Sequence, residues 1–442
     1  MQNIIEFFQH RGRKFYVVGA AARNFIRTGN WGQAGVVECI ALITRQELLQ
    51  YRDLPFWGTP PSRGPIPIEI QINNHNALAY VTCIPPTGPE TELLNLCLKQ
   101  RGFRIEALAI DSDGILFDPH QSLPLLEENP YLMFEDHSEQ IAKHNALHLI
   151  GIGRIAAETG LMPPHSLVKL ATKYATRVLY APRHGWFREL TAILCGSHVV
   201  DGLNLLCEMR ILGLLLPEIQ QMIGFAESSR YHHKDLWDHT LQVINQTPAL
   251  PLVRWAALLH DVGKIWTRTY ANQGEVHFFQ HEEMGAIIVE GIGARLSMCQ
   301  DFQEKLAFLV RYHLRPNAYQ KDWNDSAIRR MLKEVGDLID PLLALSQADL
   351  TSGNPKRRHQ ATLLSNELKL RIAEIQELDR RMPPLPKGIG NRIIEVFHLQ
   401  PGPRIGSIKQ FLESHIESNQ LDAHRDIDYY IDYLKQLPHI PE

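Results

Sequence analysis

From about residue 138 nearly to its end, this chain of 442 residues sets apolar side chains at three- and four-residue spacing. That period draws one apolar stripe along a helix, so most of the fold is expected to be helix packed on helix. Leu147 to Thr159, Leu167 to Leu179 and Gly202 to Leu215 carry the pattern, and prolines at 163, 164, 182 and 217 punctuate it. The first 125 residues read differently. Lys14 to Gly19 and Val36 to Thr44 are short apolar, β-rich runs, and Pro67 to Asn73 alternates as a half-buried strand does. Ile105 to Ile110 and Ile115 to Phe117 flank Asp111-Ser112-Asp113-Gly114, a hairpin turn signal. The expected class is an α+β head followed by a mostly α-helical neck, a further helical domain and a helical C-terminal region. Pro383 to Gly406, rich in Pro and Gly, is expected to join the last helices.

Length and charge narrow the function classes. The chain is too long for one core, and two to four domains are expected. A net charge of −4 excludes a chain-wide basic field for nucleic acid and leaves room for a local one. The six cysteines (Cys39, Cys83, Cys97, Cys195, Cys207, Cys299) form no CxxC pair. Neither a zinc ribbon nor a disulfide framework is expected from them, only reduced thiols. The opening MQNIIEFFQHRGRKF lacks the apolar core and cleavage site of a signal peptide, and no apolar run would span a bilayer. A cytoplasmic protein without membrane partners is expected.

Five stretches concentrate His and Asp: YHHKDLWDHT (231–240), ALLHDVGK (257–264), HFFQHEEMGA (277–286), VRYHLRP (310–316) and LSQADLTSG (345–353). In the second, His260 and Asp261 end an apolar helical run, Val253 to Leu259, just before a Gly-Lys turn. A lone buried His is more often a hydrogen-bonded core residue than a ligand. Here His239, His260, Asp261, His281, His313 and Asp349 all follow apolar helical stretches, which favours a metal site for the set. Imidazole with carboxylate, and no thiolate, suits a divalent Mn, Ni, Co, Fe or Mg ion, one or two per site. His281 and His313 could bind phosphate instead, or complete a second metal site.

The order His…His-Asp…Asp, with Gly-Lys after the pair, resembles the HD phosphohydrolase superfamily. The resemblance implies His239, His260, Asp261 and Asp349 as metal ligands, Asp349 being placed by its Ala-Asp-Leu context alone. His281 and His313 fall where two-metal relatives of the HD-GYP type have extra histidines. Lys264 matches a lysine that can contact substrate phosphate.

The wider chain resembles the bacterial tRNA nucleotidyltransferase (CCA-adding) and poly(A) polymerase family, in the form carrying an HD domain. Tyr16 to Asn24 is similar to the head motif YLVGGAVRD, and Arg101 to Ala109 to RDFTINALA. Gly151 to Leu161 resembles the neck helix and keeps Arg154, while Arg188-Glu189-Leu190, Gly213 to Glu218 and Pro401-Gly402-Pro403 match later stretches. Nucleotidyl transfer needs clustered carboxylates to hold two divalent ions, and the family supplies two through a DxD on the second strand. Those positions are Glu38 and Ile40 here, and Ile40 cannot ligate. Glu69 is the candidate third carboxylate, without partners. Ala20, Asn24, Gly102 and Glu106 replace a glycine, two aspartates and an asparagine of the motifs. A degenerate nucleotidyltransferase-like head is therefore expected, with Gly19, Arg23, Glu38, Glu69 and Arg101 as its remaining site positions.

The expected layout is a degenerate head at 1–125, a neck at 126–227, an HD domain at 228–352 and a helical C-terminal region at 353–442. The expected function is metal-dependent hydrolysis of a phosphoester, as a phosphatase or 2′,3′-cyclic phosphodiesterase, on nucleotides or RNA 3′ ends, tRNA among them. Asp261, Lys264, His281 and His313 are the candidate catalytic residues, and Lys264, Arg311 and Arg315 the candidate phosphate contacts. Two alternatives stay open: a tRNA- or RNA-binding protein with a dead head, and an active nucleotidyltransferase using a rearranged carboxylate set.

Overall fold

The computed structural model describes residues 2–31, 36–51, 53–56, 65–72, 75–133, 146–226, 235–270, 276–351, 354–381 and 384–437. Residues 231–234 of the first His-rich stretch, and the expected boundaries at 227/228 and 352/353, lie outside them. The chain forms two compact units, Met1–Leu314 with Ala344–Thr351, and Arg315–Leu343 with Ser352–Glu442. The N-terminal part is mixed α/β and the rest largely helical, as the periodicities require.

The first unit opens with a six-stranded sheet of order β3-β4-β2-β1-β5-β6. Its strands are β1 (Phe15–Val18), β2 (Val36–Ala41), β3 (Ile66–Ile72), β4 (His75–Cys83), β5 (Ala109–Asp111) and β6 (Leu116–Phe117). β1 pairs antiparallel with β2 and with β5, whereas β2 runs parallel to β4. Both faces are buried at the centre. Phe15, Val17 and Cys39 face a core with Ile4, Phe8 and Leu48. Tyr16, Val18 and Ile40 face a second core with Leu94 and Leu98. Two-sided burial produces continuous apolar runs, and β4 shows why that hides a strand. Ala77, Leu78, Ala79, Tyr80 and Val81 are all buried, so no alternation marks it in the sequence.

Ile105 to Ile110 is not one strand. Arg104–Glu106 forms a 3₁₀ turn, and β5 begins only at Ala109. The expected turn after it is present, with Asp111 Oδ1 accepting from the backbone N–H of Asp113 at 2.9 Å and of Ile115 at 2.8 Å. The helical region also holds one short hairpin, β7 (Arg268–Tyr270) with β8 (Val276–Phe278).

In the second unit Leu385, Ile389, Ile393, Ile408, Leu412, Tyr430 and Leu434 make a separate core. The Pro- and Gly-rich stretch from 383 to 406 is not only a joint, since it contains the helix Ile389–Phe397. All six cysteines are free. Among the described residues no helix is long and apolar enough to cross a membrane.

Candidate metal centre

Elements far apart in sequence deliver the His and Asp side chains to one place. Asp235 caps the helix Leu236–Gln246, which carries His239 one turn inside. The helix Pro251–Leu259 is buried over nearly its whole length and presents His260 and Asp261 just past its end. His281 opens the helix His281–Leu296, and His313 follows the helix Gln300–Tyr312. Asp349 follows the helix Ile339–Ala348.

Every imidazole is oriented through its Nδ1. His260 Nδ1 lies 2.9 Å from the Ala257 carbonyl and His313 Nδ1 2.6 Å from the Val310 carbonyl. Both carbonyls belong to last turns of helices, where backbone acceptors lack intrahelical partners. His281 Nδ1 meets the Phe278 carbonyl at 2.9 Å, and His239 Nδ1 meets Thr351 Oγ1 at 3.0 Å. A carbonyl only accepts, so the Nδ1 of His260, His281 and His313 carries a proton and donates it. The Nε2 atoms are turned toward the centre.

There they form two sets. The ligand atoms of His239, His260 and Asp349 lie within 4.8 Å of one another, as do those of Asp261, His281 and His313. Asp349 Oδ1 stands 3.1 Å from His239 Nε2 and 3.6 Å from His260 Nε2. Asp261 joins the sets. Its Oδ2 is 3.2 Å from His239 Nε2 and 3.1 Å from His260 Nε2, and its Oδ1 is 3.4 Å from His281 Nε2 and 3.9 Å from His313 Nε2. The close approach of the His281 helix depends on Gly263. A Cβ there would sit 2.0 Å from the His281 carbonyl oxygen and 2.7 Å from the backbone nitrogen of Gly285.

The field at this centre calls for positive charge. Burial works against a charged His260, yet Asp261 and Asp349 push its pKa up to about 10. Burial also works against the carboxylates, yet His260 and Lys264 hold Asp261 well below its ordinary range. Hydrogen bonds from His239 and His260 do the same for Asp349. His313 moves the other way, pushed down to about 4 by burial and by the His260 charge. The Nε2 atoms of His281 and His313 are buried and make no hydrogen bond. Buried acceptors left unbonded beside two carboxylates fit a divalent cation. The four imidazoles and two carboxylates match the chemistry of such an ion.

Lys264 Nζ lies 2.7 Å from Asp261 Oδ2, at the edge of the centre. The two arginines expected at substrate phosphate are engaged elsewhere. Arg311 Nε donates to Glu283 at 2.7 Å, and Arg315, in the second unit, donates to Glu334 at 2.9 Å. Sequence reasoning did not single out Thr351, and it marked Gly263 only as part of the Gly-Lys turn. The signal for Thr351 was its place two residues after Asp349, which says nothing about a ring 112 positions earlier.

The head contrasts with this centre. Glu38 is bonded to Arg101, with Arg188 at 3.8 Å. Burial would raise its carboxyl, but these guanidinium groups hold it down to about 2. Arg154 binds Glu106, takes Glu189 at 2.7 Å and Glu158 at 3.2 Å, and Glu158 also binds Arg23. Gly19 opens the helix Gly19–Thr28 directly after β1. Glu69 is exposed on β3 opposite Leu78, two strands from Glu38. Gly102 has φ +87°, a strained backbone for an aspartate, and a Cβ there would meet the His148 ring at 2.6 Å, so that ring would have to move. Among the described residues no head side chains form a ligand set of the kind found at His239 and Asp261.

Residues 222–353 match the HD domain. Beyond this match, the chain is 28% identical over 340 residues to the CC-adding tRNA nucleotidyltransferase of Thermus thermophilus, covering 72% of this chain and 73% of that protein. It is 29% identical over 335 residues to the A-adding tRNA nucleotidyltransferase of Deinococcus radiodurans, covering 71% and 73%. A multifunctional CCA protein of Legionella pneumophila matches at 26% over 378 residues, covering 80% and 88%. The crystal structure of Bacillus stearothermophilus CCA-adding enzyme in complex with CTP aligns over 98% of this chain and 96% of its own, at 14% identity and a TM-score of 0.43. The sequence relations establish low-identity homology to the CCA-adding and poly(A)-polymerase nucleotidyltransferase superfamily, with an HD domain competent to bind metal.

Proposed function

We propose that the chain is a metal-dependent phosphohydrolase whose HD domain acts on phosphoesters of nucleotides or RNA 3′ ends, terminal phosphates and 2′,3′-cyclic phosphates among them. The observation that carries this is the shared Asp261, whose two oxygens face two separate histidine sets. His239, His260, Asp261 and Asp349 would hold one ion, with Mn, Ni, Co, Fe and Mg as candidates. His281 and His313 would hold a second with Asp261, or His281 would hold a proton for the leaving oxygen at its buried Nε2. A bound divalent ion supplies Lewis acidity, polarising a phosphoryl oxygen and acidifying water. Lys264 balances charge that develops on the phosphoryl oxygens, and its bond to Asp261 fixes where that charge is offered. Thr351 fixes the His239 ring, and the helix-end carbonyls fix His260 and His313.

The RNA 3′ end is favoured as substrate class by the tRNA enzymes to which the chain is homologous. The layout that goes with this function is the head at 1–125, neck at 126–227, HD domain at 228–352 and C-terminal region at 353–442. A second reading, a tRNA- or RNA-binding protein, is supported by the ion pairs that fill the head around Glu38 and Arg154. The test is a screen of purified protein on nucleoside 2′-, 3′- and cyclic 2′,3′-phosphates and on tRNA ending in each, with Mn, Ni, Co and Mg. Release of phosphate or ring opening with a divalent ion, abolished by chelation, is the expected result. Tight tRNA binding without turnover would favour the second reading.

A further inference from the structure

The short hairpin of β7 and β8 stands beside the His–Asp centre, and its register sets Arg268 opposite Phe278 and Tyr270 opposite Val276. Side chains alternate along a strand, so these four share one face. Phe278 ties that face to the centre twice. Its carbonyl accepts from His281 Nδ1 at 2.9 Å, and its ring centroid lies 5.6 Å from Lys264 Nζ. Lys264 in turn bonds Asp261 Oδ2 at 2.7 Å. Beyond Phe278 the face continues. The Phe225 ring lies 6.2 Å from it, and the Arg268 guanidinium sits 3.6 Å from the Phe225 centroid. Arg268 donates to the Ala226 carbonyl, and the Tyr270 hydroxyl lies 3.5 Å from its Nη1. Both oxygens are neutral, so neither cancels its charge. Tyr270, farthest along the strand, is 70% exposed.

From Lys264 outward the order is therefore ring, cation, ring: Phe278, then Arg268 over Phe225, then Tyr270. A ribbon of three residues a side buries little, and a ring left in water adds little to the core. The same order suits a single nucleic-acid strand, whose bases stack on rings while its phosphates meet cations. A duplex keeps its bases in its own stack, so an unpaired strand presents them best. A phosphate drawn to Lys264 sets its nucleoside against Phe278. The nucleoside before it then lies toward Tyr270, with Arg268 between for the linking phosphate. Two residues of strand, roughly 7 Å, separate Arg268 from Tyr270.

We propose that this face is the base platform of the His–Asp centre, Phe278 taking the last base of a single-stranded RNA 3′ end and Tyr270 the base before it. The substrate is then an RNA end in preference to a free nucleotide. The proposal rests on the reading of the centre as a phosphoesterase, but its binding test does not. Two measurements on the full, metal-loaded chain test it. One is kcat/KM for adenosine 2′,3′-cyclic phosphate and for the dinucleotide ApA ending in the same group. The other is anisotropy of fluorescein-labelled ApA 3′-phosphorothioate. Wild type should favour the dinucleotide roughly tenfold or more. Tyr270→Ala should erase most of that preference and weaken binding of the label, and Tyr270→Phe should retain both. Phe278→Leu keeps an apolar side chain but removes the ring, and should raise KM for both substrates. Bound metal equal to wild type shows that the variants keep the centre. If the wild type hydrolyses neither substrate, the phosphoesterase reading fails, and the anisotropy alone decides the platform. Equal affinity for the label in wild type, Tyr270→Ala and Phe278→Leu would overturn the platform whatever the turnover.

Discussion

Asp261 reaches His260 with one carboxylate oxygen, at 3.1 Å, and His281 with the other, at 3.4 Å. One side chain thus belongs to both histidine sets. Metal content of the purified protein should follow from this. Asp261→Ala should lose all bound divalent ion, as should the His260→Ala, Asp261→Ala double variant. His281→Ala should keep the ion held by His239, His260 and Asp349. Elemental analysis with circular dichroism checks it. Equal metal in wild type and the folded double variant would remove the metal centre.

Thr351 offers a separate test, because it touches a ligand without being one. Its Oγ1 is 3.0 Å from His239 Nδ1. Thr351→Val keeps the shape and removes the partner, so metal affinity should fall ~10–100-fold. Competition with a chelator measures it. Unchanged affinity would mean that His239 is held by packing alone.

In the head, Ile40 is fully buried against Tyr16, Val18, Leu94 and Leu98. Ile40→Asp should therefore cost at least about 3 kcal/mol rather than restore a metal site. The wild type should add neither CMP nor AMP to tRNA lacking its 3′ CCA, and Ile40→Asp should add none either. Incorporation of labelled CTP or ATP decides this, and robust addition by the wild type would contradict the closed head.

The Glu38–Arg101 pair makes stability depend on pH. Glu38 falls from its ordinary 4.5 to about 2 in the fold. A lowered carboxyl stabilises the folded state above the unfolded pKa and loses that contribution as pH drops through the folded one. The contribution, on the order of 3 kcal/mol, should be complete above about pH 5 and fade between pH 4.5 and about 2. Thermal melts of Glu38→Gln against wild type should show a deficit at pH 7 that shrinks toward pH 2. A deficit independent of pH would mean that the carboxylate charge contributes nothing.

The helical half was legible because one apolar stripe per helix leaves a period in the sequence, and the His–Asp cluster because its residues end such stripes. β4 was not legible, since burial of Ala77 to Val81 on both faces erases alternation. Arg311 and Arg315 were expected at phosphate from their place in the His-rich stretch 310–316. Their glutamate partners, Glu283 and Glu334, lie 28 and 19 positions away and are set by helix packing. The losses at Gly102 and Glu106 read as decay in the sequence. In the fold Gly102 makes room for His148, and Glu106 is a buried partner of Arg154.

Chemistry should reside at the His–Asp centre and not in the head. The most direct measurement is turnover of nucleoside 2′,3′-cyclic phosphate and 3′-phosphate by wild type, Asp261→Ala, Lys264→Ala and Glu38→Ala, each reconstituted with the preferred metal. Asp261→Ala should lose activity by orders of magnitude. Lys264→Ala should lose less, about 2–4 kcal/mol of stabilisation of the developing charge. Glu38→Ala should match wild type on these small substrates. Hydrolysis by Asp261→Ala at the wild-type rate on every substrate would contradict this, placing the activity elsewhere or in a contaminant and moving the RNA-binding reading to first place.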